Sequence, residues 1–158
     1  ILQSDPNDFG DQAELLLMFA ARAQHIAQVI EPALAKGQWV ICDRFTDATF
    51  AYQGAVRGIA RSKIADLEQW VQGELCPSYT LLLDAPVEVG LARAKKRAAL
   101  DRFEKEEQQF FLRVREGYLA LARAHQNRYR IVDASRPLKD VQAQISLVID
   151  EMIKQIGR

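Results

Sequence analysis

The apolar positions of this chain follow two spacings, one typical of helices and one typical of short buried strands. From Asp11 onward, apolar residues recur every three or four positions, which predicts a helix. Pro32 is expected to bend or break this helix, and Gly37 to end it. Helices are also predicted for 46–54, 62–73, from Pro86 to about Leu100, from Glu104 to about His125, and from Ser135 onward. In the helix that starts at Ser62, Trp70 is expected to face inward with Ile64.

Three short apolar runs have the length and composition of strands that are buried on both faces. They are Trp39–Cys42, Tyr79–Asp84 and Arg130–Asp133. Because helices separate these runs, the strands should pair in parallel, with helices covering both faces of the sheet. The predicted fold is therefore a three-layer α/β domain. Since no linker or repeat interrupts residues 1–158, we expect a single domain.

Composition and charge exclude several classes of function. The 21 Lys and Arg residues balance the 21 Asp and Glu residues, so no global field would attract a nucleic acid or an anionic membrane. The longest apolar run, Leu15–Ala21, is too short to span a bilayer. Cys42 and Cys76 lie far apart in sequence, which favours a reducing compartment. We expect a cytoplasmic protein that binds neither nucleic acid nor membrane.

Candidate ligand-binding residues follow the first predicted strand. It ends in Asp43 and Arg44, at the sheet edge where open α/β folds bind their ligands. The guanidinium fork of Arg44 matches phosphate oxygens. Thr49, Tyr52 and Gln53 follow within two helical turns and share a side, an arrangement that suits a base or a sugar. The alternative is a solvated loop followed by a surface helix.

Other charged residues leave two interpretations open. Arg22 lies on an otherwise apolar helix and needs a partner, which is either a ligand phosphate or an internal carboxylate. Asp84 and Asp133 end predicted strands and are expected to be caps or supporting groups. A basic cluster consists of Arg93, Lys95, Lys96, Arg97 and Arg102. It is either a solvated surface or a lid that binds phosphates.

Four segments together resemble one family. Residues 43–54, Asp-Arg-Phe-Thr-Asp-Ala-Thr-Phe-Ala-Tyr-Gln-Gly, resemble the Asp-Arg-aromatic segment of thymidylate kinases. Residues 13–25 look like the thymidine-binding helix of that family, and residues 83–91 and 100–104 like its later strand-end and lid motifs. The resemblance implies a P-loop nucleoside-monophosphate-kinase-like fold, a lid at about 93–104, and transfer of the ATP γ-phosphate to dTMP with Mg²⁺.

The resemblance also implies a role for each matching residue. In the dTMP site, Arg22 and Arg44 would bind the 5′-phosphate. Phe19, with Met18 beside it, would form a wall of the pocket for the thymine ring. Thr49 and Gln53 would hydrogen-bond to the edge of that ring, and Tyr52 would pack against the deoxyribose. For ATP, the phosphates would meet Arg93, Arg97 and Arg102, and the adenine would lie near Asp133, Ala134 and Ser135. Asp43 would organise Mg²⁺ or the acceptor phosphate, so that the catalytic set is Asp43, Arg44, Arg97 and Arg102.

A phosphate-binding loop is absent from this sequence. No G-x-x-x-x-G-K-[ST] motif occurs, and in the family it would precede Ile1. We therefore expect residues 1–158 to be an N-terminally incomplete kinase domain that is inactive without that loop. The alternatives are a deoxynucleoside kinase of the same fold and a non-catalytic nucleotide-binding protein. A homodimer is implied by the family.

Overall fold

The structure is a computed structural model that describes residues 10–95 and 104–156. The chain divides into two compact units, Ile1–Cys76 and Pro77–Arg158, called unit 1 and unit 2. Residues 1–9 and most of the predicted lid, including Arg97 and Arg102, lie outside the described residues. Within the described ranges, no helix is both long and apolar enough to cross a membrane.

Unit 1 begins with one long helical run. Helix α1 (Asp11–His25) continues through a π-helical segment (Ile26–Ile30) into α2 (Glu31–Ala35). The run is not broken at Pro32, because Pro32 lies in the first turn of α2, where it is best tolerated. It ends as predicted at Gly37, whose φ of 71° places it in the left-handed region that glycine adopts without a steric penalty.

A second helical run carries the predicted ligand-binding residues. Helix α3 (Thr46–Thr49) continues as a π-helical segment (Phe50–Val56), and α4 spans Arg61–Gln72. Ile64 is fully buried, whereas Trp70 is 82% exposed, so the inward orientation predicted for Trp70 is wrong. Six residues at about 100° each turn Trp70 by roughly 120° away from the face of Ile64.

The first predicted strand does not form. Residues 39–42 are neither strand nor helix, and Ile41 is 97% exposed. No strand among the described residues pairs with this segment to satisfy its backbone hydrogen bonds, so its apolar composition alone does not make a strand. Asp43 and Arg44 therefore lie on a loop before α3, and the described sheet is smaller than the predicted three-layer one.

Unit 2 contains the two other predicted strands. β1 (Thr80–Asp84) and β2 (Tyr129–Asp133) pair in parallel, with Asp84 opposite Asp133 at their carboxyl ends. Helices α5 (Val87–Lys95) and α6 (Glu104–Ala124) connect them, which confirms the parallel crossover. Helix α7 (Leu138–Ile156) follows β2.

The core of unit 2 lies beside the strands. Its buried apolar residues are Val87, Val114, Leu121, Ala122, Tyr129, Val132 and Val141. The helical spacing of Ile149 and Ile153 with Val141 predicts that both face inward, but both are exposed. A 19-residue helix is about 28 Å long and a five-residue strand about 17 Å, so the described strands cover only part of α7.

Candidate functional site

The loop before α3 holds Arg44 in an uncommon conformation. Its φ of 63° lies in the left-handed region, which residues with a Cβ rarely occupy. The thiol of Cys42 donates to the carbonyl oxygen of Arg44 at 3.5 Å, and the Arg44 guanidinium lies 5.2 Å from the centre of the Tyr52 ring. Such conformations cluster at functional sites, where the surrounding structure maintains them.

Below this loop, the buried bond between Thr46 and Gln72 fixes the start of α3. The two side chains hydrogen-bond to each other, and Gln72 Nε2 also donates to the carbonyl oxygen of Leu75. Both residues are buried, so the bond is shielded from water. The segment that carries Thr49, Tyr52 and Gln53 is thus anchored to α4.

Arg22 reaches from α1 to the second helical run. Its Nη2 donates to Thr49 Oγ1 at 3.1 Å, and its guanidinium carbon lies 4.7 Å from the ring centre of Phe19 and 5.5 Å from that of Phe45. Burial lowers the pKa of Arg22, and the carboxylate of Glu68 partly offsets this effect. Arg22 Nη1 is buried and has no hydrogen-bond partner among the described residues. Among the described residues, a hydroxyl rather than a carboxylate accepts the hydrogen bond from Arg22.

Gln53 lies one turn after Thr49, and it lacks a hydrogen-bond donor for one of its atoms, whereas Arg22 lacks an acceptor. Its Nε2 donates to Glu14 Oε1 at 3.0 Å, while its Oε1 is buried and accepts no hydrogen bond from the described residues. The other carboxylate oxygen of Glu14 accepts from Arg57 at 2.7 Å, and Arg57 also binds Asp11 at 2.7 Å. The hydrogen bond to Asp11, more than that to Glu14, raises the pKa of Arg57.

Unit 1 therefore has one donor and one acceptor that the described residues leave without a partner. A buried polar atom without a partner costs roughly 1–3 kcal/mol, which a ligand that supplies the missing partner recovers. Arg22 Nη1 is the donor and Gln53 Oε1 the acceptor. Arg22 is bonded to Thr49, which is fully buried and lies one helical turn before Gln53. This combination can recognise a ring that carries a carbonyl oxygen beside an N–H group.

The remaining residues predicted for this site differ in accessibility. Phe19 is buried beneath Arg22, so it supports the guanidinium rather than forming an open wall. Met18 and Tyr52 are half-buried and therefore retain surface for a ligand. Asp43 is exposed, and its carboxylate has no hydrogen bond or ion pair with the described residues.

The carboxylates of Asp84 and Asp133 both have partners within unit 2. Asp84 binds Arg115 through two hydrogen bonds of 2.7 and 2.8 Å. Asp133 accepts from the backbone N–H of Ser135 and from Arg136 Nε, and these bonds, with that from the Ser135 hydroxyl, lower the pKa of Asp133. The turn after β2 is thereby fixed.

Arg93 of α5 also binds the turn after β2. Its guanidinium donates to the carbonyl oxygens of Ala134, Ser135 and Arg136. A cavity of about 330 Å³ lies beside it, lined by Arg93, Ala134, Arg136, Pro137, Leu138 and Val141. This volume is at the lower end of the range for small-molecule pockets, and the lining is mostly apolar. The cavity thus suits a flat ring that stacks on the turn.

A second cavity in unit 2, of about 390 Å³, lies between β1 and helices α5 and α6. Its lining is apolar apart from Asp84 and Arg115, which already pair with each other. No charged group is left there for a polar ligand.

Sequence reasoning missed Glu14 and Arg57 as parts of the site. The spacing of Asp11 and Glu14 is typical of a helix-capping pair, yet no side chain caps α1. Both carboxylates bind Arg57 instead, across 46 and 43 residues of chain. No local sequence pattern signals such a contact.

The residues described above can be compared with known proteins. The thymidylate kinase family model matches residues 1–145. A thymidylate kinase of Methylococcus capsulatus is 58% identical over 142 residues, which are 90% of this chain and 68% of that protein. A thymidylate kinase of Alcanivorax borkumensis is equally similar, with the same coverage. One from Pseudomonas syringae pv. tomato is 56% identical over 151 residues, or 94% of this chain and 72% of that protein.

Proposed function

The chain belongs to the thymidylate kinase family, and on this premise we propose that unit 1 carries its dTMP-binding site. The reaction of the family is transfer of the ATP γ-phosphate to dTMP, which yields dTDP and ADP, and this is the activity of the protein. The comparisons do not favour a deoxynucleoside kinase or a non-catalytic protein. The observation that supports the site most directly is the pair of unused buried atoms, Arg22 Nη1 and Gln53 Oε1.

Thymine has the chemistry that this pair requires. Its O4 accepts a hydrogen bond and its neighbouring N3–H donates one, so the ring matches a donor beside an acceptor. In this proposal Arg22 Nη1 binds O4, and Gln53 Oε1 accepts from N3–H. The proposal thus places Arg22 at the base rather than at the phosphate, because Arg22 is bonded to Thr49 and lies half-buried over the ring of Phe19. Met18 provides the accessible apolar surface beside the ring.

The 5′-phosphate is assigned to Arg44. Its guanidinium is exposed, and its left-handed backbone projects it from the loop beside Tyr52. Arg can bind phosphate through two parallel hydrogen bonds, which fixes the orientation of the phosphate as well as its position. Tyr52 packs against the deoxyribose in this arrangement.

The ATP side is assigned to unit 2 and the lid. The turn 133–136, held by Arg93, supports an adenine in the adjacent cavity, with Asp133, Ala134 and Ser135 at its edge. Because the guanidinium of Arg93 already binds three carbonyl groups, the ATP phosphates are assigned to Arg97 and Arg102, which lie outside the described residues.

Phosphoryl transfer requires positioning and charge neutralisation rather than a protein nucleophile. Mg²⁺, when bound, neutralises phosphate charge, and it commonly uses one or two carboxylates together with substrate phosphates and water. The free carboxylate of Asp43 fits that mode, although no cluster of three ligand residues occurs within the described part of the chain. The arginines orient the acceptor oxygen towards the γ-phosphate.

A homodimer and a cytoplasmic location complete the proposal. The first helical run exposes Leu16, Val29 and Leu34, and exposed apolar side chains of this size are typical of surfaces that pair with another chain. Cys42 and Cys76 are both free thiols, which agrees with a reducing compartment.

Competition binding with dTMP and thymidine tests the assignment, since the two ligands differ only in the phosphate. We expect Arg22→Met to weaken both ligands by a similar factor, on the order of tenfold or more for a charged hydrogen bond. Arg44→Met should weaken dTMP alone. If Arg22→Met weakens dTMP and leaves thymidine unchanged, Arg22 binds the phosphate and the base assignment is wrong.

A further inference from the structure

The Glu14 carboxylate has two partners, and each constrains a different part of unit 1. One oxygen accepts from Gln53 Nε2 and the other from Arg57 Nη1. The side chain of Glu14 is 29% exposed, and neither the sequence motifs nor the proposed reaction gives it a role. Through Gln53, Glu14 is one hydrogen bond away from the proposed base site.

The chemistry of the Glu14–Gln53 bond fixes which end of the Gln53 amide faces the ligand. An ionised carboxylate can only accept hydrogen bonds, so Gln53 must direct its NH₂ group towards Glu14. The amide oxygen then points the other way, and it is the oxygen that is buried without a partner. If the amide were rotated by half a turn, two acceptor oxygens would face each other.

Arg57 holds Glu14 in this position. It lies at the end of the second helical run and bridges Glu14 and Asp11 on α1, with both contacts at 2.7 Å. Its guanidinium donates to the carboxylate oxygen of Glu14 that Gln53 does not use. The orientation of the Gln53 amide is thereby set by residues that do not touch the ligand.

We propose that Glu14 is a positioning residue that makes the site select thymine over cytosine, because it compels Gln53 to present an acceptor to position 3 of the ring. Thymine carries N3–H there, whereas the N3 of cytosine is itself an acceptor and its 4-amino group would face the donor Arg22. dCMP is thus mismatched at two adjacent positions. The inference rests on the proposed dTMP site and adds the origin of its base specificity.

The Glu14→Gln variant tests this role, with the full-length protein and the ratio of kcat/KM for dTMP to that for dCMP as the measurement. A glutamine at position 14 can donate as well as accept, so the Gln53 amide becomes free to present its NH₂ to the ring. Since Arg22 still disfavours the 4-amino group, we expect the ratio to fall by about tenfold, which corresponds to the loss of one hydrogen-bond preference.

Asp11→Asn is the matched control. It removes the same charge and the other partner of Arg57, but Asp11 does not contact Gln53. We expect its dTMP-to-dCMP ratio to stay within about twofold of the unmodified protein, the variation expected for a substitution that leaves the site intact. An unchanged ratio in Glu14→Gln, or an equal fall in both variants, would overturn the proposal.

A second Glu14 variant and thermal unfolding separate a loss of folding from a loss of base selectivity. If Glu14→Gln does not fold, Glu14→Asp preserves the charge but is one methylene too short to hold the amide, and the same fall in ratio is expected. Thermal unfolding of each variant shows whether it is folded. Failure of the unmodified protein to phosphorylate dTMP would refute the proposed function itself, whereas normal dTMP turnover with an unchanged ratio in both Glu14 variants refutes only the role of Glu14.

Discussion

Replacement of Thr49 by Val should destabilise unit 1 through Arg22. Thr49 is fully buried, and its hydroxyl accepts the only hydrogen bond that the structure gives the Arg22 guanidinium within the described residues. Valine has nearly the same shape, so the substitution removes the acceptor without opening a cavity. Arg22 would then have both terminal nitrogens without a partner, since Nη1 already lacks one.

The magnitude follows from the charge and burial of the pair. Hydrogen bonds to charged groups contribute about 1.5–3 kcal/mol, and Arg22 is only half-buried, so we expect the free energy of unfolding to fall by about 1.5–2 kcal/mol. For a chain of this size, each kcal/mol corresponds to roughly 2–4 °C in Tm. A decrease of about 3–8 °C is therefore expected.

A double-mutant cycle with Arg22→Met isolates this contribution, measured by chemical denaturation. In the Arg22→Met background no guanidinium remains to lose a partner, so Thr49→Val should cost less than about 0.5 kcal/mol. Thr49→Ser is the control, because it keeps the hydroxyl and removes only a methyl group. Equal costs of Thr49→Val in both backgrounds would mean that the bond contributes nothing, and the account of Arg22 would be refuted.

Two further predictions concern unit 2. Arg93→Met removes the three hydrogen bonds that hold the turn 133–136. In steady-state kinetics, KM for ATP should therefore rise severalfold while KM for dTMP stays unchanged. A rise in KM for dTMP alone would contradict the role of this turn. The hydrogen bonds from Ser135 and Arg136 lower the pKa of Asp133, so its contribution to stability is complete above the ordinary carboxyl pKa of about 3.9 and is lost as the pH falls through the lower folded-state value. Denaturation of the protein and of Asp133→Asn from pH 7 to pH 3 should show a difference that shrinks towards acid, and a difference that grows would contradict this sign.

The sequence predicted the helices well because their signals are local. Gly37 and Gly73 end helices where they were expected to, and both adopt positive φ angles. The parallel pair β1 and β2 also follows from local composition and the intervening helices. Residues 39–42 show the limit: an apolar run becomes a strand only if another strand pairs with it, and that is a property of the whole sheet.

The sequence predicted several residues of the candidate site but none of their contacts. The motifs identified Arg22, Thr49 and Gln53, and the structure brings Arg22 to Thr49. They gave no information on which polar atoms remain without partners, because that depends on every neighbouring side chain. The role of Glu14 was hidden for the same reason, since its partner Arg57 is 43 residues away.

The central claim is that Arg22 Nη1 and Gln53 Oε1 hydrogen-bond to the edge of thymine. A crystal structure of the full-length protein with dTMP tests this claim directly. The account predicts Arg22 Nη1 within about 3.2 Å of O4 and Gln53 Oε1 within about 3.2 Å of N3, with Gln53 Nε2 still on Glu14. A complex in which Arg22 binds the 5′-phosphate, or in which the Gln53 amide oxygen faces no N–H of the base, would contradict it.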